Sequence, residues 1–422
     1  MGHLAAKDVY RDLGRTIDAL PTRAPWSETL GSILRLLYTE EEAELVARMP
    51  TGLASFSRIQ EVSGADGTRL ASLLERLAEK GLVMDIAVAG EMKYTVSPIA
   101  IGIFEYTMMR TDNAVDFPRA AALFKEYMLG AGTFFTANFS KGEKVSVMRT
   151  LPHQEALREE PHVEVLDYEK ADALVDQAPG AAVGICSCRH AKLHLGEKEC
   201  ETPLEMCLIL SSPEDYAVRH GMARPASKTE VKELLDRARD LKLVLNADNV
   251  KRDVQFICTC CACCCTVLNG IRKFGYPNAI VTSAFAAACE ENACTGCGKC
   301  AAACPIEAIE MTEGAHGRRQ ERRPRIDAAF CLGCGVCGLA CAGKAMRLVP
   351  REQAVLLPEH TIERVVLQSL ERGTLQNLMF DNPHAASHKF MRSVMGTFLS
   401  LSPVKRYMMS QAFRSRFLAR MA

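Results

Sequence analysis

Apolar residues recur with helical period through much of the chain. In "DGTRLASLLERLAEKGLV", Leu70, Leu73, Leu74 and Leu77 are three or four residues apart. They form one face of a helix that Gly81 is suited to stop. "TEEEAELVARM" opens with Thr39 and Glu42 at capping-box spacing, and a short helix is predicted around Phe56 to Val62. "LVMDIAVAGEMKYTVSP" changes to alternation and predicts a hairpin turning at Ala89-Gly90. Residues 1–38 and 99–140 have a helical pattern. A strand is predicted to start around Val163 to Val165, followed by a helix and a second strand, "AAVGIC". "SKTEVKELLDRARDLKLVLN" predicts a helix capped by Ser227 with Glu230, then a strand. In the last part of the chain Ile362, Val365, Val366 and Leu370 share an apolar face that ends near Gly373.

These patterns predict an α+β chain in four parts. Residues 1–140 form a helical module, resembling a winged helix in its three short helices and hairpin. Residues 141–288 form a cysteine-rich α/β domain, 289–350 a compact module of two cysteine runs, and 351–422 a helical, basic tail. A winged helix raises the question of DNA. Residues 39–98 carry ten Asp/Glu and six Lys/Arg. DNA affinity is dominated by cations that neutralise phosphates, so the acidic balance argues against nucleic acid and for a structural or protein-docking role.

Composition alters the picture in one respect. The chain of 422 residues has 51 basic and 51 acidic side chains, so no net field draws it to nucleic acid or membrane. It also has 19 cysteines, none before Cys186 and none after Cys341. The opening "MGHLAAKDVYRDLGRT" has no apolar core or cleavage site, and no apolar run approaches the ~20 residues of a membrane span. A cytoplasmic location is therefore expected, where clustered cysteines point to metal rather than to disulfides. P-loop, dinucleotide and radical-SAM spacings are missing, and no Ser–His–Asp set can be placed.

The decisive pattern is "CTGCGKCAAACP", with Cys294, Cys297, Cys300, Cys304 and Pro305, repeated as "CLGCGVCGLACA", with Cys331, Cys334, Cys337 and Cys341. This is the C-x2-C-x2-C-x3-C run that ligates [4Fe–4S] cubanes. Three cysteines on a glycine-containing turn reach three corners of one cube, and the fourth faces the other way. Zinc sites favour two C-x2-C pairs separated by a longer spacer. Residues 289–350 resemble bacterial two-cluster ferredoxins. The resemblance implies one cluster on Cys294, Cys297, Cys300 and Cys341 and another on Cys331, Cys334, Cys337 and Cys304, with "IEAIEM" and "RPRID" as strands between. Ala342 stands where that family usually has proline. Cys289 has no place in the motif and is expected to be a buried structural thiol. The loop between the runs carries Arg318, Arg319, Arg322, Arg323 and Arg325, either a solvated hairpin tip or a patch for an acidic redox partner.

Ten further cysteines lie upstream: Cys186, Cys188, Cys200 and Cys207 in "CSCRH…CETPLEMC", and Cys258, Cys260, Cys261, Cys263, Cys264 and Cys265 in "ICTCCACCC". Both groups follow predicted strands. Loops after adjacent strands of an open α/β sheet share an edge, so the ten thiols are expected to converge on an additional metal centre. One or two more iron–sulfur clusters fit that many thiols; two zinc sites or buried thiols are the alternatives. Arg189 would raise the potential of an anionic cluster nearby, and His190 is a ligand or proton donor, or simply a turn residue. The whole arrangement resembles a group of ferredoxin-type proteins of anaerobic bacteria.

An electron-transfer protein serving a partner redox enzyme follows from these features. An oxidoreductase working at the middle centre, and an iron–sulfur redox sensor that binds DNA, are the alternatives. From Asn382 onward there are seven Lys/Arg and no Asp/Glu, interleaved with Phe398, Leu399, Leu401, Met408, Met409, Phe413 and Phe417. That tail could lie on an anionic membrane surface or a partner, giving a peripheral location at the inner face of a membrane.

Overall fold

A computed structural model describes residues 8–112, 115–139, 145–157, 166–210, 212, 215–314, 321–352 and 357–410. The strand expected at Val163–Val165, together with Arg318, Arg319, Phe413 and Phe417, lies outside the described residues. The chain divides into two compact units, one of Met1–Asn138, Asp215–Met222 and Val365–Ala422, the other of Phe139–Glu214 and Ala223–Arg364.

In the first unit the predicted capping box forms. Thr39 Oγ1 accepts from Glu42 N, and Glu42 Oε2 accepts from Thr39 N, opening the helix Glu40–Arg48. The helices Phe56–Ser63 and Gly67–Glu79 follow, the second burying Leu70, Leu73, Leu74 and Leu77. Strands β1 (Ala54–Ser55), β2 (Val83–Val88) and β3 (Glu91–Val96) make an antiparallel sheet in the order β1-β3-β2. The hairpin turns where expected, with Ala89 and Gly90 both at positive φ, as a two-residue primed turn requires. Arg69 pairs with Glu41 at 2.8 Å and Lys80 with Glu42 at 2.7 Å, so cations of this module are already engaged by its own carboxylates. Residues 215–222 belong here too: Tyr216 Oη donates to the Ala78 carbonyl at 2.7 Å and Arg219 pairs with Asp85 at 2.9 Å. The tail adds helices Leu375–Met379, Ala386–Ser400 and Ser402–Met408, joined by Leu370, Leu375 and Leu399. The helix Thr361–Arg372 differs in its face: Leu367 and Leu370 are buried, whereas Ile362 is 58% exposed.

The second unit is built on six strands: β4 (Met148–Leu151), β5 (Ala182–Ile185), β6 (Glu205–Ile209), β7 (Ala223–Pro225), β8 (Val244–Asp248) and β9 (Phe256–Cys260). Their order is β4-β8-β9-β6-β5-β7, and each neighbouring pair is antiparallel. This corrects the adjacent-strand expectation, because β6 lies between β5 and β9. Being each antiparallel to β6, β5 and β9 run the same way, and their C-terminal ends emerge on one edge. The helices Ala171–Gln177 and Lys228–Asp240 cover one face, the latter capped by Ser227 as predicted. Their Leu174, Val175, Val231 and Leu235 pack with Val183, Leu208, Leu245 and Ile257 of the sheet.

The two regular cysteine runs occupy the rest of this unit. Strand β10 (Phe285–Cys289) pairs with β13 (Met346–Pro350), and β11 (Ile309–Met311) with β12 (Pro324–Ile326). β4 anchors this module: Thr150 N donates to Val281 O at 2.8 Å, Val281 N to Met148 O at 2.9 Å, and His153 N to Cys334 O at 3.0 Å.

Candidate metal centres

Each regular run forms a tight turn leading into a one-turn helix, Lys299–Ala303 or Val336–Leu339. Glycine is required at Gly333, where φ is +71° and an added Cβ would strike the Phe285 carbonyl and Ser283 Oγ. The turn is held from outside. Ser283 Oγ donates to Gly333 O at 2.8 Å, Arg351 Nε donates to Phe285 O at 2.8 Å, and Arg351 Nη2 reaches Cys331 O.

Cys304 of the first run crosses to the second. It lines one cavity together with Cys331, Cys334 and Cys337, walled by Ala287, Ile306, Ile309, Leu332 and Leu348. Backbone amides already point at these sulfurs: Ala308 N donates to Cys304 Sγ at 3.2 Å and Gly333 N to Cys331 Sγ at 3.4 Å. Burial pushes the Cys334 thiol up to about 12 and raises Cys337 as well, so ionising these thiols without a cation costs free energy. Cys294, Cys300 and Cys341 lie near Cys289. Cys297 is exposed. Cys289 is only half-buried at the end of β10, and burial together with the Cys294 thiol pushes it up to about 12.

The ten upstream thiols come from two segments brought together at the edge shared by β5, β6 and β9. They form two groups. Cys207 and Cys258 are cross-strand partners on β6 and β9, and strand alternation puts Cys260 on the same face. Cys258 neighbours Cys260, which neighbours Cys265 at the cap of the helix Thr266–Phe274. Cys265 in turn neighbours Cys188. Cys186 caps the helix Ser187–His194 and lies near Cys188 and Cys207. Ile257 has the opposite orientation and joins the helix-covered core, where Cys261 and Cys264 follow and Cys200 and Cys263 pack. The Sγ atoms of Cys200, Cys261, Cys263 and Cys264 all lie within 4.8 Å of one another.

Arg189 is a cation buried in this region, 1% exposed. Its Nη2 donates to the Thr259 carbonyl, while Nε and Nη1 have no hydrogen-bond partner. Burial alone would lower its pKa, but the charges of Cys186, Cys261 and Cys260 outweigh that and raise it. Cys261 is held down to about 4 by the Cys264 thiol and by Arg189, against burial, and Cys260 down to about 6 by the Cys258 and Cys265 thiols. His190 is buried, with Nε2 2.9 Å from His194 Nε2.

Asn269 was not evident as a site residue. Its Nδ2 donates to the carbonyls of Ala262, Cys263 and Cys265 at 3.2, 3.3 and 2.8 Å, clamping the "CCACCC" turn. Arg272 Nη2 adds a bond to Ala262 O at 3.0 Å. The available signal was its position four residues after Cys265, one helical turn in.

The regular runs have a known counterpart. Residues 293–345 match the 4Fe-4S dicluster domain. The match spans both cysteine runs, so the iron–sulfur character of this part of the chain rests on the sequence family as well as on the spacing. No curated protein and no solved structure matches the chain. The dicluster domain and the upstream cysteine group together support iron–sulfur electron transfer as the activity. Among the described residues, no helix is long and apolar enough to cross a membrane.

Proposed function

We propose that the protein is an electron carrier with two [4Fe–4S] clusters in its dicluster domain and a further thiolate-bound metal centre upstream, and that it delivers electrons to a partner redox enzyme. The observation that carries this reading is the cavity shared by Cys304 with Cys331, Cys334 and Cys337. An all-thiolate, apolar-walled site suits a cubane, and the exchange of the fourth cysteine is what two interleaved cubanes need. By the same logic Cys294, Cys297, Cys300 and Cys341 hold the other.

A bound [4Fe–4S] cluster supplies one-electron transfer. The chain's own groups supply the setting. The amides of Ala308 and Gly333, donating to cysteine sulfur, favour the more anionic state, and the apolar wall limits water. His153 bridges the dicluster domain and the sheet, taking Cys334 O on its backbone N–H while its Nε2 lies 2.8 Å from Leu243 O. Val244, the next residue, is the cross-strand partner of Cys260. A short, packed connection between the two sulfur regions favours transfer between them.

The test is iron and acid-labile sulfide per chain on anoxically purified protein, with EPR after reduction. At least about eight irons and eight sulfides, with a spin-coupled signal from two reduced clusters, are expected. A colourless chain without sulfide would end this reading.

The tail supplies a contact surface. Phe390, Val394, Phe398 and Leu401 are all exposed, the first three at i, i+4 and i+8 of one helix face, with Lys389 and Arg406 exposed as well. An apolar stripe with basic flanks suits an anionic membrane surface. F390E/F398E should abolish co-flotation with liposomes containing phosphatidylserine; unchanged flotation would refute the contact.

A further inference from the structure

The ten upstream thiols do not share one geometry. Four of them are drawn together closely: Cys200 to Cys261 at 3.7 Å, Cys200 to Cys264 at 3.9 Å, Cys261 to Cys263 at 3.6 Å and Cys263 to Cys264 at 3.5 Å. These separations are far too long for a disulfide, whose sulfurs bond at about 2 Å. They are also too short for a cubane, which interposes its own iron and sulfide and holds its outer thiolates on the order of 6 Å apart. They fit one ion. Thiolates at about 2.3 Å from a tetrahedral metal stand about 3.8 Å from one another.

The same molecule supplies the control. Among the described residues, this is the one group of three or more His, Cys, Asp or Glu side chains whose ligand atoms all lie within 4.8 Å of each other. Neither cysteine set of the dicluster domain contracts in this way, and neither do the six remaining upstream thiols, which form a chain of neighbours.

We propose that Cys200, Cys261, Cys263 and Cys264 bind a single divalent ion, zinc or iron, in a tetrahedral tetrathiolate shell distinct from every cluster site of the protein. This deepens the reading of the upstream thiols as a metal centre and rests on it. A second observation agrees. Four thiolates around a divalent ion leave two negative charges, and the buried Arg189 beside Cys261 has two nitrogens, Nε and Nη1, without a hydrogen-bond partner. An uncompensated buried cation is costly, and an anionic metal site offsets it. Asn269 and Arg272 fix the turn that carries three of the four ligands.

The experiment compares the full-length chain with its C200S/C263S variant, both purified without oxygen, by elemental analysis and acid-labile sulfide. The variant is expected to lose about one zinc, or about one iron, per chain with sulfide unchanged. Which element is lost identifies the ion. Loss of about four irons with matching sulfide, or no loss of metal at all, would overturn the proposal. Should the variant not fold, cobalt(II) incorporated into the unaltered chain decides: intense tetrahedral cobalt–thiolate bands support the site, and a pale octahedral spectrum refutes it. The electron-carrier reading fails separately, by absence of sulfide from the unaltered chain.

Discussion

The dicluster domain and the upstream thiol region use one ligand type but differ in how the backbone holds the sulfurs apart. In the dicluster domain, the cysteines fall at regular intervals on turns that need glycine, as at Gly333, and Cys304 of the first run lines the cavity of the second. In "ICTCCACCC" there is no glycine. The stretch leaves a strand and enters a turn, so neighbouring cysteines diverge to opposite faces. Cys258 and Cys260 stay with the strand, whereas Cys261, Cys263 and Cys264 turn under the helices and meet Cys200. The division of these thiols into two groups is thus set by where the backbone changes from strand to turn.

That contrast can be broken experimentally, beginning with the largest effect. Cys337→Ala removes a buried sulfur from the dicluster cavity, and the expected result is a loss of about four irons and four sulfides per chain; unchanged iron would sever this residue from its cluster. Arg189→Met leaves the upstream thiolates without their buried cation. Metal there should be lost to a competing chelator at a concentration roughly 10-fold lower or more, while the dicluster iron stays. Equal losses from both regions would show that Arg189 acts on overall folding. Gly333→Ala forces a Cβ against the Phe285 carbonyl. It should destabilise the protein by about 3 kcal/mol, read as a drop in denaturation midpoint. The mildest change is Asn269→Ala, which deletes the clamp on the upstream turn. A cost of about 2 kcal/mol is expected, with faster loss of the upstream metal and no change in the cubane EPR signal.

Much of this architecture was legible in the order of residues. Capping at Thr39 and Ser227, the turn at Ala89-Gly90 and the two cysteine runs all rest on local chemistry, and local patterns report local structure. The convergence of the ten upstream thiols was also visible, although the sheet that achieves it is antiparallel. Their division was not. It depends on Cys200 reaching residues some sixty positions further on, and on the face that each member of β9 presents. Residues 215–222 likewise leave a stretch of second-unit sequence to join the first unit through Tyr216 and Arg219, and no local pattern announces that. Ile362 misled because its helical spacing matched Val366 and Leu370 while the buried side of the helix is set by Leu367 and Leu370.

Cys260 and Cys261 are consecutive, yet one belongs to the six-thiol group and the other to the four-thiol group. Both groups also require residues from the segment around β6. Both rely on β9 lying beside β6, and the single peptide bond between Cys260 and Cys261 separates a member of one group from a member of the other. A metal held by either group would therefore also hold this sheet edge closed, its binding free energy adding to that of folding.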